Sequence, residues 1–171
     1  VFDSDCNAWL PTLISGTDYV YEMDSTGGTT VYTGTSNHDI GSIALDPSGS
    51  GFAVGYNNVN YVGYSTGSTI PVIATSSAVQ GTSWSNSYLN SSPASVAFDS
   101  TGCIWVPNFS GSGSLDCVET DGTQTTVVSG LSYIESVGLD STETLYVAIA
   151  DTIYSVDTAT GALTTEFVAS D

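Results

Sequence analysis

Short apolar runs alternate with polar residues along most of the chain, and no segment shows a convincing apolar period of 3.6 residues. Segments such as "SVAF", "CIWVPN" and "TLYVAI" are rich in β-branched and aromatic residues and are separated by Gly, Asp and Ser clusters. This pattern predicts β-strands throughout and almost no helix. No run of 18 apolar residues occurs, so we expect no membrane insertion.

One strand–turn–strand phrase recurs along the chain. It reads "SIALDPSGSGFAVGY" from Ser42, "SVAFDSTGCIWVPNF" from Ser95 and "SVGLDSTETLYVAIA" from Ser136, with a shorter echo, "VFDSDCNAWL", at the start. The aspartates of the four phrases are Asp3, Asp46, Asp99 and Asp140, spaced by 43, 53 and 41 residues. A period of this length with strand-like content is typical of β-propeller blades.

We therefore predict an all-β fold, a β-propeller built from four four-stranded blades in a single domain of residues 1–171. The blades span approximately residues 1–40, 41–93, 94–134 and 135–171, and the first blade begins with only "VF" of its innermost strand. The array has no spare strand to close a ring. It could form a compact four-bladed ring, part of a larger propeller, or a propeller that neighbouring subunits complete.

The charge composition limits the classes of binding partner that the protein can have. The chain has 18 Asp and Glu residues, no Lys or Arg, and a formal net charge of −18. Nucleic-acid binding is excluded because phosphate neutralisation needs basic groups, and docking to anionic membranes is disfavoured for the same reason. Calcium or another divalent cation is the expected counter-ion.

Several features point to an extracellular or cell-surface location. A chain without Lys or Arg resists trypsin-like proteases, and "NSS" at Asn90 and "NFS" at Asn108 fit the N-glycosylation pattern of a glycoprotein. No signal peptide or initiating Met is present, so we expect a processed chain or a piece of a longer one.

Three cysteines leave at least one thiol free or bonded to another chain. They are Cys6, Cys103 and Cys117. Cys103 and Cys117 fall on adjacent strands of one predicted hairpin, but a loop at "SGSGS" would place Cys117 opposite Pro107. Whether these two form a disulfide is left open at this point.

Two segments resemble known propeller families. "LYVAIADTIYSVDTATGALTTEF" resembles the blades of YVTN surface-antigen propellers, and "SVAFDSTGCIWVPNF" is similar to NHL-type and gluconolactonase-type propellers. Together the resemblance covers nearly the whole chain and implies the architecture. The gluconolactonase-type resemblance also implies a divalent metal held by Glu, Asn and Asp, for which Asn108, Glu135 and Asp151 are the nearest equivalents, together with Asn57. No Glu opens the first blade, and the basic residue usual in NHL repeats is absent.

Further ligand-binding candidates lie in loops. Loops before the innermost strands and between second and third strands share one face of a propeller, and they hold the polar residues His38, Asn57 and Asn58. A second-blade insertion from Thr75 to Pro93 carries Trp84 and Tyr88, which suit sugar stacking, a subunit contact, or a loop folded over the blade edge. Exposed polar loop residues that contact only water are the plainer interpretation, and turn chemistry equally explains the aspartates that resemble calcium loops.

The favoured function is a structural or adhesive module, secreted or surface-displayed, that forms part of an extracellular assembly or filament with copies of itself or other extracellular proteins. The alternatives are a carbohydrate-binding, lectin-like propeller with glycan partners and a divalent-metal lactonase- or lyase-like enzyme. No catalytic residue is assigned, because "GTSWS" does not fit the G-x-S-x-G nucleophile motif, and a non-enzymatic role is preferred.

Overall fold

The computed structural model describes residues 1–33, 40–49, 51–56, 61–65, 83–87, 95–107, 113–131 and 133–169. Within these ranges the chain forms fifteen strands and no helix. None of the described residues therefore builds a helix long and apolar enough to cross a membrane.

The strands form four antiparallel sheets, which we call the first to fourth blades in chain order. The first blade contains β1 (Ala8–Ile14), β2 (Thr17–Met23) and β3 (Thr29–Thr33). The second contains β4 (Ile40–Leu45), β5 (Phe52–Tyr56), β6 (Tyr61–Ser65) and β7 (Ser83–Ser87). The third contains β8 (Ala97–Phe98), β9 (Cys103–Pro107), β10 (Gly113–Glu119) and β11 (Gln124–Leu131), and the fourth contains β12 (Ile134–Leu139), β13 (Leu145–Ile149), β14 (Thr152–Val156) and β15 (Leu163–Val168).

Each sheet pairs its strands in simple sequence order, as consecutive hairpins require. In the first blade the "VF" segment is reduced to one isolated bridge between Phe2 and Ala8, so that blade has three full strands. The short strand β8 contacts both β4 and β12, so the innermost strands of successive blades lie side by side. This stacking of whole sheets confirms the predicted all-β blade architecture.

The hydrophobic core lies between sheets, in three layers. The first and second blades enclose Val20, Ile43 and Phe52. The second and third enclose a cluster that includes Ala53 and Ile104, and the third and fourth enclose the largest cluster. Because side chains alternate along a strand, the second and third blades bury apolar side chains on both faces.

The third blade also contains a disulfide between Cys103 and Cys117, whose Cα atoms are 5.5 Å apart. The predicted register was wrong, because Leu115 pairs with Pro107 and Cys117 pairs with Trp105. Cys117 therefore lies two residues further along the hairpin and on the same sheet face as Cys103. Cys6 is an exposed free thiol.

The two buried carboxylates of the third blade, Asp99 and Asp116, are satisfied by neutral donors, because there is no Lys or Arg to pair with them. Asp116 is 1% exposed and accepts hydrogen bonds from the hydroxyls of Ser114 (2.6 Å) and Thr126 (2.5 Å). A buried carboxylate without such donors would strongly destabilise the fold.

Candidate functional site

A common turn joins the first two strand segments of each blade. In each repeat the aspartate N–H donates to a carbonyl four or five residues later, and its own carbonyl accepts from the residue three positions on. One side-chain oxygen also accepts a backbone N–H two residues later, as seen for Asp3, Asp46, Asp99 and Asp140. Turn chemistry therefore accounts for the repeated aspartate, as the sequence suggested.

The third residue after each aspartate adopts a left-handed backbone conformation. The φ angles are +74° at Gly49 and +96° at Gly102, but the same position holds Cys6 (+65°) and Glu143 (+64°) in the other two blades. Glycine meets this requirement at no steric cost, so the first and fourth blades keep the turn with less favourable residues.

In three of the four repeats the aromatic side chain six residues after the aspartate donates a hydrogen bond to that aspartate. The indole N–H of Trp9 donates to Asp3 Oδ2 at 3.0 Å, and that of Trp105 donates to Asp99 Oδ2 at 2.8 Å. In the fourth blade the Tyr146 hydroxyl donates to Asp140 Oδ2 at 3.2 Å. The aspartate thus holds both the turn and the aromatic ring on the second strand. It reaches the ring only when the two strands are paired in the native register.

In the third blade this turn and its aromatic residue are buried. Asp99 is 8% exposed and Trp105 is 5% exposed, and the ring packs in the core layer shared with the fourth blade. The Ser100 hydroxyl and backbone N–H also donate to Glu143 of the fourth blade at 2.6 and 3.0 Å. The disulfide joins β9 and β10 beside Trp105.

The first blade holds a polar pair where the third blade holds that disulfide. Asn7 follows Asp3 by four residues, as Cys103 follows Asp99, and Glu22 pairs with Trp9 as Cys117 pairs with Trp105. The Asn7 amide donates to Asp3 Oδ2 at 2.9 Å and to Glu22 Oε1 at 3.3 Å. A hydrogen bond thus replaces the covalent link.

A cavity opens beside this polar pair, between the first and second blades, and we call it the inter-blade cleft. Its volume is about 320 Å³, and its polar wall carries the carboxylates of Asp3, Asp5, Glu22 and Asp46 with Ser4 and Asn7. Its aromatic wall is a packed trio in which Trp9 and Tyr32 stack at 5.2 Å and Phe52 meets the Tyr32 ring edge-on at 5.2 Å. Trp9 and Tyr32 are only partly buried, so they border the cleft.

The electrostatics of the inter-blade cleft are set by fixed hydrogen bonds. The Trp9 indole N–H is the main reason that the pKa of Asp3 lies below its usual value, so this carboxylate stays ionised at neutral pH. Burial, then the hydrogen bond to Glu22, raises the pKa of Tyr32 to about 12. Its hydroxyl remains a donor and holds Glu22 Oε2 at 3.0 Å.

A second feature is the outer face of the first blade, turned away from the second blade. By strand register this face presents uncharged side chains, namely Ala8, Leu10, Thr12, Ile14, Thr17, Tyr19, Tyr21, Met23, Thr29, Val31 and Thr33. Leu10 is 47% exposed and Tyr19 contacts Tyr21 with ring centroids 6.0 Å apart. None of the acidic residues of β1–β3 points to this face, although the whole chain has 18 Asp and Glu residues.

The outer face of the fourth blade is the counterpart at the other end of the array. Tyr146, Ile153 and Phe167 lie on it, and Phe167 is 58% exposed. Glu166 borders this face and accepts a hydrogen bond from the Ser155 hydroxyl at 2.7 Å. Among the described residues, each of these two blades therefore has one sheet face that no other blade covers, and Glu166 stands beside the apolar side chains of the fourth blade's face.

Two of the predicted metal ligands lie at one end of the fourth blade. Glu135 lies beside Ile134, which pairs with Ile149, and Asp151 follows in the next turn; both are exposed. Among the residues that the structure describes, no group of three His, Cys, Asp or Glu side chains is placed to hold a metal ion. The third predicted ligand, Asn108, lies outside the described residues, as do His38, Asn57, Asn58, Tyr88 and Asn90. Trp84 is described only as part of strand β7.

The sequence analysis missed the inter-blade cleft, although Asp3 was singled out as a turn residue. The available signal was the aromatic residue six positions after the aspartate, in "DSDCNAW" and "DSTGCIW". Phe52 lies six positions after Asp46 and carries the same signal. The contributions of Glu22 and Tyr32 carry no local signal, because only strand pairing and blade packing bring them to the cleft.

Stacked antiparallel sheets, three of them four-stranded, with side-by-side innermost strands define the fold as that of a β-propeller. Solved structures share it. A catalytically inactive virginiamycin B lyase from Staphylococcus aureus with quinupristin matches with a TM-score of 0.69 and 15% identity, over 100% of this chain and 55% of that chain. A chain of a nidogen/laminin complex matches with a TM-score of 0.62 and 13% identity, over 95% of this chain and 65% of that one.

A putative gluconolactonase matches with a TM-score of 0.61 and 14% identity, over 96% of this chain and 57% of that chain. The chain thus spans between about half and two thirds of the length of these propellers. No protein-family model matches the sequence, and comparison with curated proteins gives no match. At these identities the likeness establishes the propeller fold.

Proposed function

We propose that this protein is a structural module that assembles through the open faces of its terminal blades, in an extracellular or cell-surface setting. The observation that carries the proposal is the uncharged outer face of the first blade, with its exposed apolar side chains, in a chain of net charge −18. The remaining support comes from the internal blade interfaces, which show how such faces pack.

Each blade has two sheet faces, one directed toward the next blade in the chain and one directed toward the previous blade. At every internal interface the first kind of face packs against the second kind. Trp105 of the third blade, for example, packs in one core layer with Leu145 of the fourth. The outer face of the fourth blade has the first orientation and that of the first blade has the second. A fourth blade can therefore pack on the first blade of a second copy by the same geometry.

The electrostatics favour a contact at these faces over contacts elsewhere. With no Lys or Arg, two copies repel wherever carboxylates meet, and no ion pair with Lys or Arg can offset that repulsion. The outer face of the first blade carries none of the carboxylates of β1–β3, so on that side of the contact apolar burial is not opposed by desolvation of charge, while the fourth blade contributes Glu166 at the border of its face. The Cys103–Cys117 disulfide supports the extracellular setting, because disulfides persist in oxidising compartments.

The test is the mass of the protein in solution and its appearance by electron microscopy over a range of concentrations and salt. We expect assembly of the wild-type chain, strengthened by salt that screens the carboxylates. The double variant Leu10→Glu/Val31→Glu should weaken association at least about tenfold, because two charges would enter the buried contact.

The matched control is Leu13→Glu, an exposed residue of the same strand whose side chain lies on the opposite sheet face. It should assemble like the wild type. A wild-type chain that stays a monodisperse protomer at every concentration and salt overturns the proposal, as does equal assembly of Leu10→Glu/Val31→Glu and Leu13→Glu.

A further inference from the structure

The inter-blade cleft has the size and rigidity of a ligand site. Its volume of about 320 Å³ lies at the lower end of the range for small-molecule pockets, about 300–1,000 Å³. Asn7, Trp9 and Tyr32 hold the carboxylates of Asp3 and Glu22 by hydrogen bonds of 2.9–3.3 Å. Side chains fixed in this way lose little conformational entropy when a ligand binds.

The polar wall of the cleft consists mainly of acceptors. Ionised carboxylates only accept hydrogen bonds, and each oxygen can accept more than one. Asp3 and Glu22 thus keep acceptor capacity toward the cleft after binding their internal donors. A ligand with many hydroxyl donors matches this wall, whereas an anionic ligand meets four carboxylates and no basic side chain.

The aromatic wall adds an apolar surface beside the acceptors. Trp9 and Tyr32 are partly exposed and are held by their contacts with Phe52, so they offer a rigid ring surface to the cleft. A pyranose ring has C–H faces that pack on aromatic rings and hydroxyls around its edge. A metal ion would not use this wall, and no described group of acidic side chains in the molecule is arranged to hold one.

The third blade shows that the Asp-turn alone does not create this cleft. There the equivalents of Asn7 and Glu22 are Cys103 and Cys117, which form a disulfide, and Trp105 is buried. The cleft depends on the polar pair that the first blade has in place of that link. We propose that the inter-blade cleft is a carbohydrate site that binds a neutral sugar residue of a glycan.

This site is independent of the proposed assembly, because Trp9 and Glu22 lie on the opposite sheet face from Leu10 and Val31. The test titrates the full chain by calorimetry with four neutral probes: cellohexaose, laminarihexaose, maltohexaose and mannohexaose. We expect at least one to bind with a Kd of about 1 mM or tighter. Tryptophan fluorescence should change on binding in the wild type and not in Trp9→Phe, which keeps an aromatic ring in the trio.

Glu22→Gln should weaken binding of that probe about tenfold, because a charged acceptor is lost while the Tyr32 hydroxyl keeps an oxygen partner. The matched control, Glu166→Gln in the fourth blade, should bind like the wild type. Circular dichroism and the denaturation midpoint check that each variant is folded.

Three outcomes overturn the proposal. One is that none of the four probes binds at about ten times the expected Kd. Another is equal weakening by Glu22→Gln and Glu166→Gln. The third is binding of an oligolysine peptide that Glu22→Gln weakens while no sugar binds, which would make the cleft a site for cationic side chains. None of these results bears on assembly, which the Leu10→Glu/Val31→Glu variant tests separately.

Discussion

The first and third blades share one turn motif but differ in what surrounds it. In the third blade Asp99 and Trp105 are buried, a disulfide links the two strands, and neighbouring blades cover both sheet faces. In the first blade the same turn borders a cleft, a hydrogen-bonded pair replaces the disulfide, and one sheet face is exposed. Identical local chemistry thus stabilises the core in one place and lines a surface in the other.

The comparison teaches that the position of a repeat in the array decides its role. An interior blade is confined by two neighbours, so its polar groups must be satisfied internally. The first blade packs against one neighbour among the described residues, which leaves room for exposed apolar and polar groups that a partner or ligand can use. Four experiments would break or sharpen this contrast.

The largest expected effect is that of Asp99→Ala. The substitution leaves the Trp105 indole N–H and the Cys103 N–H without their acceptor in a buried site, and we expect a loss of about 4 kcal/mol in the free energy of unfolding. Urea denaturation measures it. Asp3→Ala should cost clearly less, because water reaches the donors around it; equal losses would contradict the contrast between the two blades.

The disulfide is the next largest contribution. The double variant Cys103→Ser/Cys117→Ser opens a loop with a sequence separation of 14, and the chain-entropy relation gives a loss of about 3 kcal/mol. Denaturation of the wild type with and without a reductant checks the same quantity. The Asn7→Ala variant should lose as much stability on addition of a reductant as the wild type does. The reason is that the first blade has no disulfide to reduce.

Val106 and Leu10 occupy matching positions seven residues after the turn aspartate. Val106 is 0% exposed between the second and third blades, whereas Leu10 is 47% exposed. Val106→Ala should reduce the free energy of unfolding by about 2 kcal/mol through lost burial and a residual cavity. Leu10→Ala should change it by less than about 0.5 kcal/mol in the dilute protomer. A large loss for Leu10→Ala would show that the protomer already covers this face.

The smallest effect is a pH dependence of the turn aspartates. Hydrogen bonds lower the pKa values of Asp3, Asp24, Asp121, Asp140 and Asp157 below 3.8. A depressed folded pKa contributes stability above the unfolded value, and that contribution is lost as the pH falls through the folded pKa. For Asp140 the main cause is the Thr142 hydroxyl.

Asp140→Asn isolates this effect, because asparagine fits the turn but carries no charge. The wild type should be more stable than the variant at pH 6, and the difference should shrink as the pH falls below about 3.8. Urea denaturation at pH 6, 4 and 2.5 measures it. A difference that stays constant or grows toward low pH would contradict the assignment of the charged form to the turn.

The sequence by itself determined the repeating local structure. Strand alternation, the spacing of Asp3, Asp46, Asp99 and Asp140, and the glycines after two of them were sufficient for the all-β blade architecture. These features depend on residues close together in the chain, where steric and hydrogen-bonding preferences act directly. The lack of Lys and Arg likewise excluded, before any fold was known, every ion pair between a carboxylate and a Lys or Arg side chain.

Only the tertiary structure decided which of these residues meet. The sequence placed Cys117 opposite Pro107, but β9 and β10 pair two residues further along and bring the two cysteines together. The inter-blade cleft likewise needs Glu22 and Phe52, which strand pairing and blade stacking deliver from separate segments. Register and blade-to-blade packing are set by the sum of many long-range contacts, and no local pattern encodes that sum.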